Sequence, residues 1–230
     1  MAEGDPSWLP VLSFTAVSST IALFLCGIPI CRRIKEKETT DGTSGAPFLV
    51  ASLSCALWLQ YGFVRHDKVV IFVNGVGCVL QFLYLAFYYS YTFGRQKRSL
   101  KQVIFLETVA GGIVEYLVNY GGLADGGESI LGAVCVVLNV VNIAAPLAAL
   151  GEVIRAKSSE SLPFPLCLAN LLVSLQWFVY GTTVVDRVIQ VPNAISIVLS
   201  LLQLSLFLVY PSTGKGAPLL PPKGSLAEEI

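Results

Sequence analysis

Seven times along this 230-residue chain, a run of about 20 mostly apolar residues is bounded by charges, turn residues or proline. The runs lie at roughly 10–31, 47–64, 69–91, 102–121, 130–150, 163–185 and 188–210. A helix of that length crosses the hydrocarbon core of a bilayer and satisfies its own backbone N–H and C=O groups, which no irregular segment facing lipid does. The rest of the composition agrees. Only 13% of the chain is charged, against about 25% in an ordinary soluble domain, and 54% is hydrophobic. Intrinsic disorder is excluded by that apolar content, and a basic nucleic-acid binder by the zero net charge. Cys26, Cys31, Cys55, Cys78, Cys135 and Cys167 sit in or beside apolar runs with no CxxC pair, so they read as small hydrophobes rather than a disulfide or zinc framework. No metal and no cofactor is expected. The first run follows an acidic flank and ends in Cys31-Arg32-Arg33 rather than a small-residue cleavage site, so it reads as a retained helix and not a signal peptide.

Orientation follows from the basic residues. Twelve of the fifteen Lys and Arg fall after the first, third, fifth and seventh runs; only Arg65, Lys68 and Arg187 lie on the opposite side. The positive-inside rule then places the N-terminus outside and the C-terminus in the cytosol. Residues 121–129 on the outer side carry acids only, and the last twenty residues read as a flexible cytosolic tail, in which Leu219-Leu220 is a weaker candidate sorting signal.

The chain is also written twice. A shift of 119 residues superimposes Trp58-x2-Tyr61-Gly62-x4-Asp67-x6-Asn74 on Trp177-x2-Tyr180-Gly181-x4-Asp186-x6-Asn193 without a gap. Leucines match by chance in such a composition; five rarer types in one register do not. The repeat covers helices 1–3 and again 5–7. A three-helix unit ends on the side opposite its start, so one extra helix is needed to restore the same orientation. The expected fold is therefore an all-α membrane protein with two parallel three-helix repeats joined by a linker helix, 3+1+3. Its parts are residues 1–95, the linker 96–125, 126–211 and a tail 212–230. Parallel repeats of this kind hold substrate between the copies near the midplane.

Pro47 at the entry to helix 2, the Trp-x2-Tyr-Gly block, Asn74-Gly75 and their second set resemble the SWEET sugar transporters (MtN3/saliva family), in an animal-type member, over residues 10–211. That resemblance implies facilitated, bidirectional sugar movement by alternating access, with glucose as a representative substrate, at the plasma membrane or the Golgi. It also implies homo-oligomers, a pocket centred on two asparagines, and four prolines that let helices hinge.

Asn74 and Asn193 are the substrate-binding pair, since a carboxamide donates and accepts to sugar hydroxyls without a charge. The plainer alternative is an interhelical hydrogen bond. Trp58 and Trp177, sixteen residues ahead of them, offer indole faces to a pyranose, or else belong to an interfacial belt as Trp8 does. Two bulky rings favour a monosaccharide. Tyr61, Asp67, Tyr180 and Asp186 cluster at the outer ends of helices 2 and 6. The resemblance makes Tyr61 and Asp186 an extracellular gate, with Arg65, Lys68 and Arg187 as available partners. Pro29, Pro47, Pro146 and Pro163 match the family's proline set; Pro29 and Pro146 are interior to apolar runs, whereas Pro47 and Pro163 equally suit helix starts. Pro165 and Pro192 have no repeat counterpart and no assigned role. Glu107 and Glu115 on helix 4 are read as structural or oligomer contacts, with proton coupling as the alternative.

No nucleophile–base pair or phosphate loop appears, so an enzyme is not expected. Two other readings share part of the pattern. PQ-loop transporters of amino acids or other solutes have the same layout but carry Pro-Gln pairs, which are absent here. A seven-helix receptor shares the helix count but not the parallel repeat.

Overall fold

The computed structural model describes residues 6–120, 127–142, 144–160 and 162–210. Among them every regular element is an α-helix. In chain order these are α1 (Leu9–Phe24), α2 (Gly27–Lys37), α3 (Ala46–Arg65), α4 (Lys68–Ser90), α5 (Gly94–Tyr120), α6 (Gly127–Asn142), α7 (Ala144–Ala156), α8 (Phe164–Thr183) and α9 (Arg187–Val209). The loop at 121–126 and the tail at 212–230, to which sequence readings were attached, lie outside the described residues.

Among the described residues, five segments are long and apolar enough to cross a bilayer: Leu9–Lys37, Ala46–Arg65, Lys68–Ser90, Phe164–Thr183 and Arg187–Val209. Their outer surfaces are greasy, with Phe14 73% and Leu208 87% exposed, while Gln81, Ser174, Ser200 and Gln203 are buried. That inversion is what a lipid solvent demands, because large apolar patches on a soluble monomer are rare.

Helix ends differ from the apolar runs for local reasons. α2 continues through Arg32–Lys37, and α5 starts at Gly94, well ahead of its apolar stretch. Arg, Lys, Gln and Glu are good helix formers, so the helices run on past the apolar limits. The first run breaks at Leu25–Cys26, just upstream of Pro29. Proline has no N–H and its ring collides with the carbonyl four residues back, so a break belongs there. Pro146 stands in α7, just past the end of α6 at Asn142. Pro47, by contrast, is in the first turn of α3, and Pro163 is the N-cap of α8. Both occupy starting positions where a missing N–H costs nothing.

The two copies build the same hairpin, α3–α4 and α8–α9, and the shared motif explains how. Each first helix ends on a left-handed residue, His66 (φ 54°) or Val185 (φ 55°). The following aspartate N–H then bonds back to a glycine carbonyl, Asp67 to Gly62 at 2.9 Å and Asp186 to Gly181 at 2.8 Å, a closure typical of helix C-termini. The aspartate side chain caps the next helix. Asp67 Oδ1 accepts from Val69 N (2.9 Å) and Val70 N (3.1 Å); Asp186 Oδ1 accepts from Val188 N (2.8 Å) and Ile189 N (3.3 Å). Glycine is needed because a Cβ on Gly62 would lie 3.0 Å from Ile71 N, and one on Gly181 would lie 2.9 Å from Ile189.

Val185 pays for this turn. A β-branched residue in the left-handed region costs roughly 1–2 kcal/mol, and this one is 80% exposed, with little packing to offset it. Val185→Asn, which tolerates that geometry, is expected to stabilise the protein by about 1 kcal/mol. Thermal unfolding in detergent measures it; a lowered Tm would contradict the strain.

α1 packs on α8, and α3 on α6. These are the two seams between the copies. The largest buried apolar cluster sits there, with Leu57, Tyr61, Val70, Leu131, Cys135, Tyr180 and Ile189 at its centre.

Candidate functional site

Between the copies lies a cavity of about 790 Å³, within the range of small-molecule sites. Asn74, Asn193, Trp58 and Trp177 all line it. Each asparagine sits on the second helix of its hairpin, seven residues past the capping aspartate, and is anchored in the same way. Asn74 Nδ2 donates to Val70 O at 2.9 Å, and Asn193 Nδ2 donates to Ile189 O at 2.7 Å. One N–H of each amide is thereby held by its own helix. The carbonyl oxygen and the second N–H remain for a ligand.

The tryptophans are equally matched. Trp58 meets Tyr61 edge-on at 5.5 Å between centroids, and Trp177 meets Tyr180 at 5.4 Å. Trp177 Nε1 also donates to Thr20 Oγ1 at 2.9 Å. A belt position does not describe these rings, since both face the cavity; Trp8, at the N-cap of α1, is exposed.

Above the rings the cavity ends in a crossed pair of hydrogen bonds. Tyr61 Oη donates to Asp186 Oδ2 at 2.8 Å, and Tyr180 Oη bonds Asp67 at 2.8–2.9 Å. Each tyrosine thus engages the aspartate of the other copy, which no sequence register states directly. Arg65 Nε adds an ion pair to Asp186 Oδ2 at 3.5 Å. Its repeat position is Val184, so the second aspartate, Asp67, has no ion pair among the described residues. At the other end the cavity reaches the exposed residues Ser44, Ala46 and Pro47 at the start of α3.

Four polar residues of the lining went unnoticed in the sequence: Thr20, Ser44, Ser54 and Asn139. Thr20 and Asn139 share one place in the 119-residue register. A search for paired polar positions, rather than identical ones, would have found them. Among the described residues no charged side chain lines the cavity. Glu107 and Glu115 of α5 lie outside it, Glu107 half-buried and Glu115 exposed. Pro192 is buried inside α9 directly before Asn193, Pro165 is in the first turn of α8, and Pro29 is exposed and does not line the cavity.

Fold and site define a multi-pass helical membrane protein with a cavity, uncharged among the described residues, framed by a duplicated hairpin. Residues 10–112 and 129–215 match the family described as "Sugar efflux transporter for intercellular exchange". The chain is 42% identical over 201 residues to the sugar transporter SWEET1 of Drosophila pseudoobscura pseudoobscura, covering 87% of this chain and 89% of that one. It is 35% identical over 216 residues to the bidirectional sugar transporter N3 of Medicago truncatula, covering 90% and 80%. In structure it resembles a eukaryotic SWEET transporter solved at 3.7 Å, with a TM-score of 0.80 and 28% identity, over 89% of this chain and 99% of that one. The chain belongs to the MtN3/saliva (SWEET) family, a family of transporters and not of enzymes.

Proposed function

We infer that the protein is a facilitative, bidirectional transporter of sugars, monosaccharides such as glucose among them, and that it works by alternating access. The observation that carries this is the cavity wall: two repeat-matched carboxamides, two indole rings and no charge. An uncharged, hydroxyl-rich ring suits such a wall. A zwitterionic amino acid does not, because its carboxylate and ammonium would each be desolvated without a counter-charge. The names of the relatives support both the sugar and the bidirectional movement.

In this reading α5, and α6 with α7, complete seven spans in a 3+1+3 layout, with α5 restoring the orientation of the second copy. Twelve of fifteen basic residues assign the Ser44–Pro47 end to the cytosol. The Tyr–Asp pairs, with Arg65, close the extracellular end, and the present state faces inward. Asn74, Asn193, Trp58 and Trp177 hold the sugar. Bending at the break beside Pro29 and at Pro146 closes the cytosolic end, while Pro47 and Pro163 set the entry angles of α3 and α8 at that mouth.

The test is exchange in proteoliposomes of purified protein, with labelled glucose, sucrose and a neutral amino acid offered in parallel. Saturable glucose exchange in both directions is expected. Amino acid exchange with no sugar movement would overturn the reading in favour of a PQ-loop-type solute transporter.

A further inference from the structure

The two seams between the copies occupy equivalent places but are chemically unlike. On the α1–α8 seam, Ser19 Oγ donates to Gln176 Oε1 at 2.6 Å, and Trp177 Nε1 donates to Thr20 Oγ1 at 2.9 Å. Thr20 gives its own proton to Ala16 O at 2.7 Å, which leaves its lone pairs facing the indole. In the 119-residue register, Ser19 corresponds to Leu138, Gln176 to Leu57, Thr20 to Asn139 and Trp177 to Trp58. On the α3–α6 seam the first two of these positions are therefore a pair of leucines, packed in one apolar cluster. No hydrogen bond joins Trp58 to Asn139 among the described residues.

The polar pair lies where it acts on the closed end of the cavity. Gln176 and Trp177 precede Tyr180 by four and three residues on α8, so all three share one face of that helix. Moving Tyr180 away from Asp67 carries Gln176 and Trp177 off α1. At the matching positions of the α3–α6 seam, Leu57 and Leu138 offer no such directional bond to break, because leucine slides on leucine with little change in contact.

We propose that Ser19–Gln176 and Thr20–Trp177 form a one-sided latch that holds the Asp67/Asp186 end closed, so that Ser19 and Gln176 set the balance between the two access states without touching substrate. This rests on the alternating-access reading above. Losing one intramolecular hydrogen bond shifts a two-state balance by roughly two- to tenfold.

The test places a single cysteine in the cavity wall, Ser54→Cys, with the six native cysteines replaced by alanine. Its reaction with a membrane-impermeant methanethiosulfonate added from the Asp67/Asp186 side is then timed. Ser19→Ala and Gln176→Leu, the second of which installs the residue of the other seam, are expected to speed labelling about two- to tenfold. Leu57→Gln with Leu138→Ser, which writes the latch onto the second seam, is expected to slow it by a similar factor. In the native-cysteine background, entry and exit KM for glucose should separate in Ser19→Ala and Gln176→Leu while Vmax changes less. Unchanged labelling in both variants overturns the latch, as does a lowered Tm with labelling unaltered. Glucose exchange by the unsubstituted protein is measured alongside: its absence would end the sugar reading, yet the labelling rates would still report the latch.

Discussion

Asn193→Ala is expected to lower glucose uptake at least tenfold, with the protein still folded and still at the membrane. The free carbonyl oxygen and second N–H of this amide are its only offer to a ligand, and each hydrogen bond to a neutral hydroxyl contributes roughly 1 kcal/mol. Losing two multiplies to about an order of magnitude or more. The helix itself loses little, since Asn193 bonds only the Ile189 carbonyl four residues back within α9, which keeps its ordinary backbone partner. Labelled uptake in cells lacking their own sugar transport, normalised to surface protein, gives the result. Asn74→Ala should behave alike, because its anchor on Val70 O is the same. If Asn193→Ala instead kept full uptake and lost thermal stability, the amide would be interhelical glue and the pocket assignment would fall.

The second large effect concerns Asp186. Its carboxylate, 5% exposed, serves four donors at once: Val188 N, Ile189 N, Tyr61 Oη and Arg65 Nε. Asp186→Ala uncaps α9 and removes the hydrogen bond from the Tyr61 hydroxyl, on a side chain only 1% exposed, to the Asp186 carboxylate. A lost cap costs about 1 kcal/mol and a lost hydrogen bond to a charged acceptor about 1.5–3 kcal/mol. The Arg65 pair adds little, because that side chain is 36% exposed and solvent screens it. The sum is about 3 kcal/mol, a fall in Tm of about 5–10 °C in detergent. Asp67→Ala should cost less, since Asp67 is only half-buried and has no ion pair among the described residues. Asp186→Asn keeps the cap and should recover most of the stability while loosening the hold on Tyr61. Equal Tm values for the two alanine variants would refute the asymmetry between the aspartates.

Much of this arrangement was legible because the duplicated residues each do a local job. Gly62 and Gly181 allow close helix approach, and Asp67 and Asp186 cap the next helix. Local jobs leave fixed spacings, and two copies of a spacing are hard to miss. Asn74 and Asn193 were found for the same reason. The crossing of Tyr61 to Asp186 and Tyr180 to Asp67 was only half visible: the residues cluster in sequence, but their partners lie 125 and 113 positions away. Ser19–Gln176 was invisible, since its counterparts are leucines and nothing repeats. Pro47 and Pro163 were undecidable, because a proline ends one element or begins another with the same chemistry; the structure puts both at helix starts. The apolar runs understated α2 and α5 because hydropathy marks the lipid boundary, whereas a helix stops only where its backbone does.

The double use of each aspartate also bears on speed. A carrier with no fuel must cross its barriers on thermal energy in both directions. Were Tyr61 and Tyr180 the only partners of those carboxylates, parting them would strand two anions in a poorly solvated seam. Instead each carboxylate remains cradled by two backbone amides of its own helix whether or not a tyrosine is present. In the proposed cycle, opening therefore exchanges one hydroxyl partner per copy, together with the half-exposed Arg65 pair at Asp186, for water and leaves neither carboxylate bare. On the proposed alternating-access reading, the turn that folds the hairpin has already solvated the gate, and that keeps the toll on each passage low.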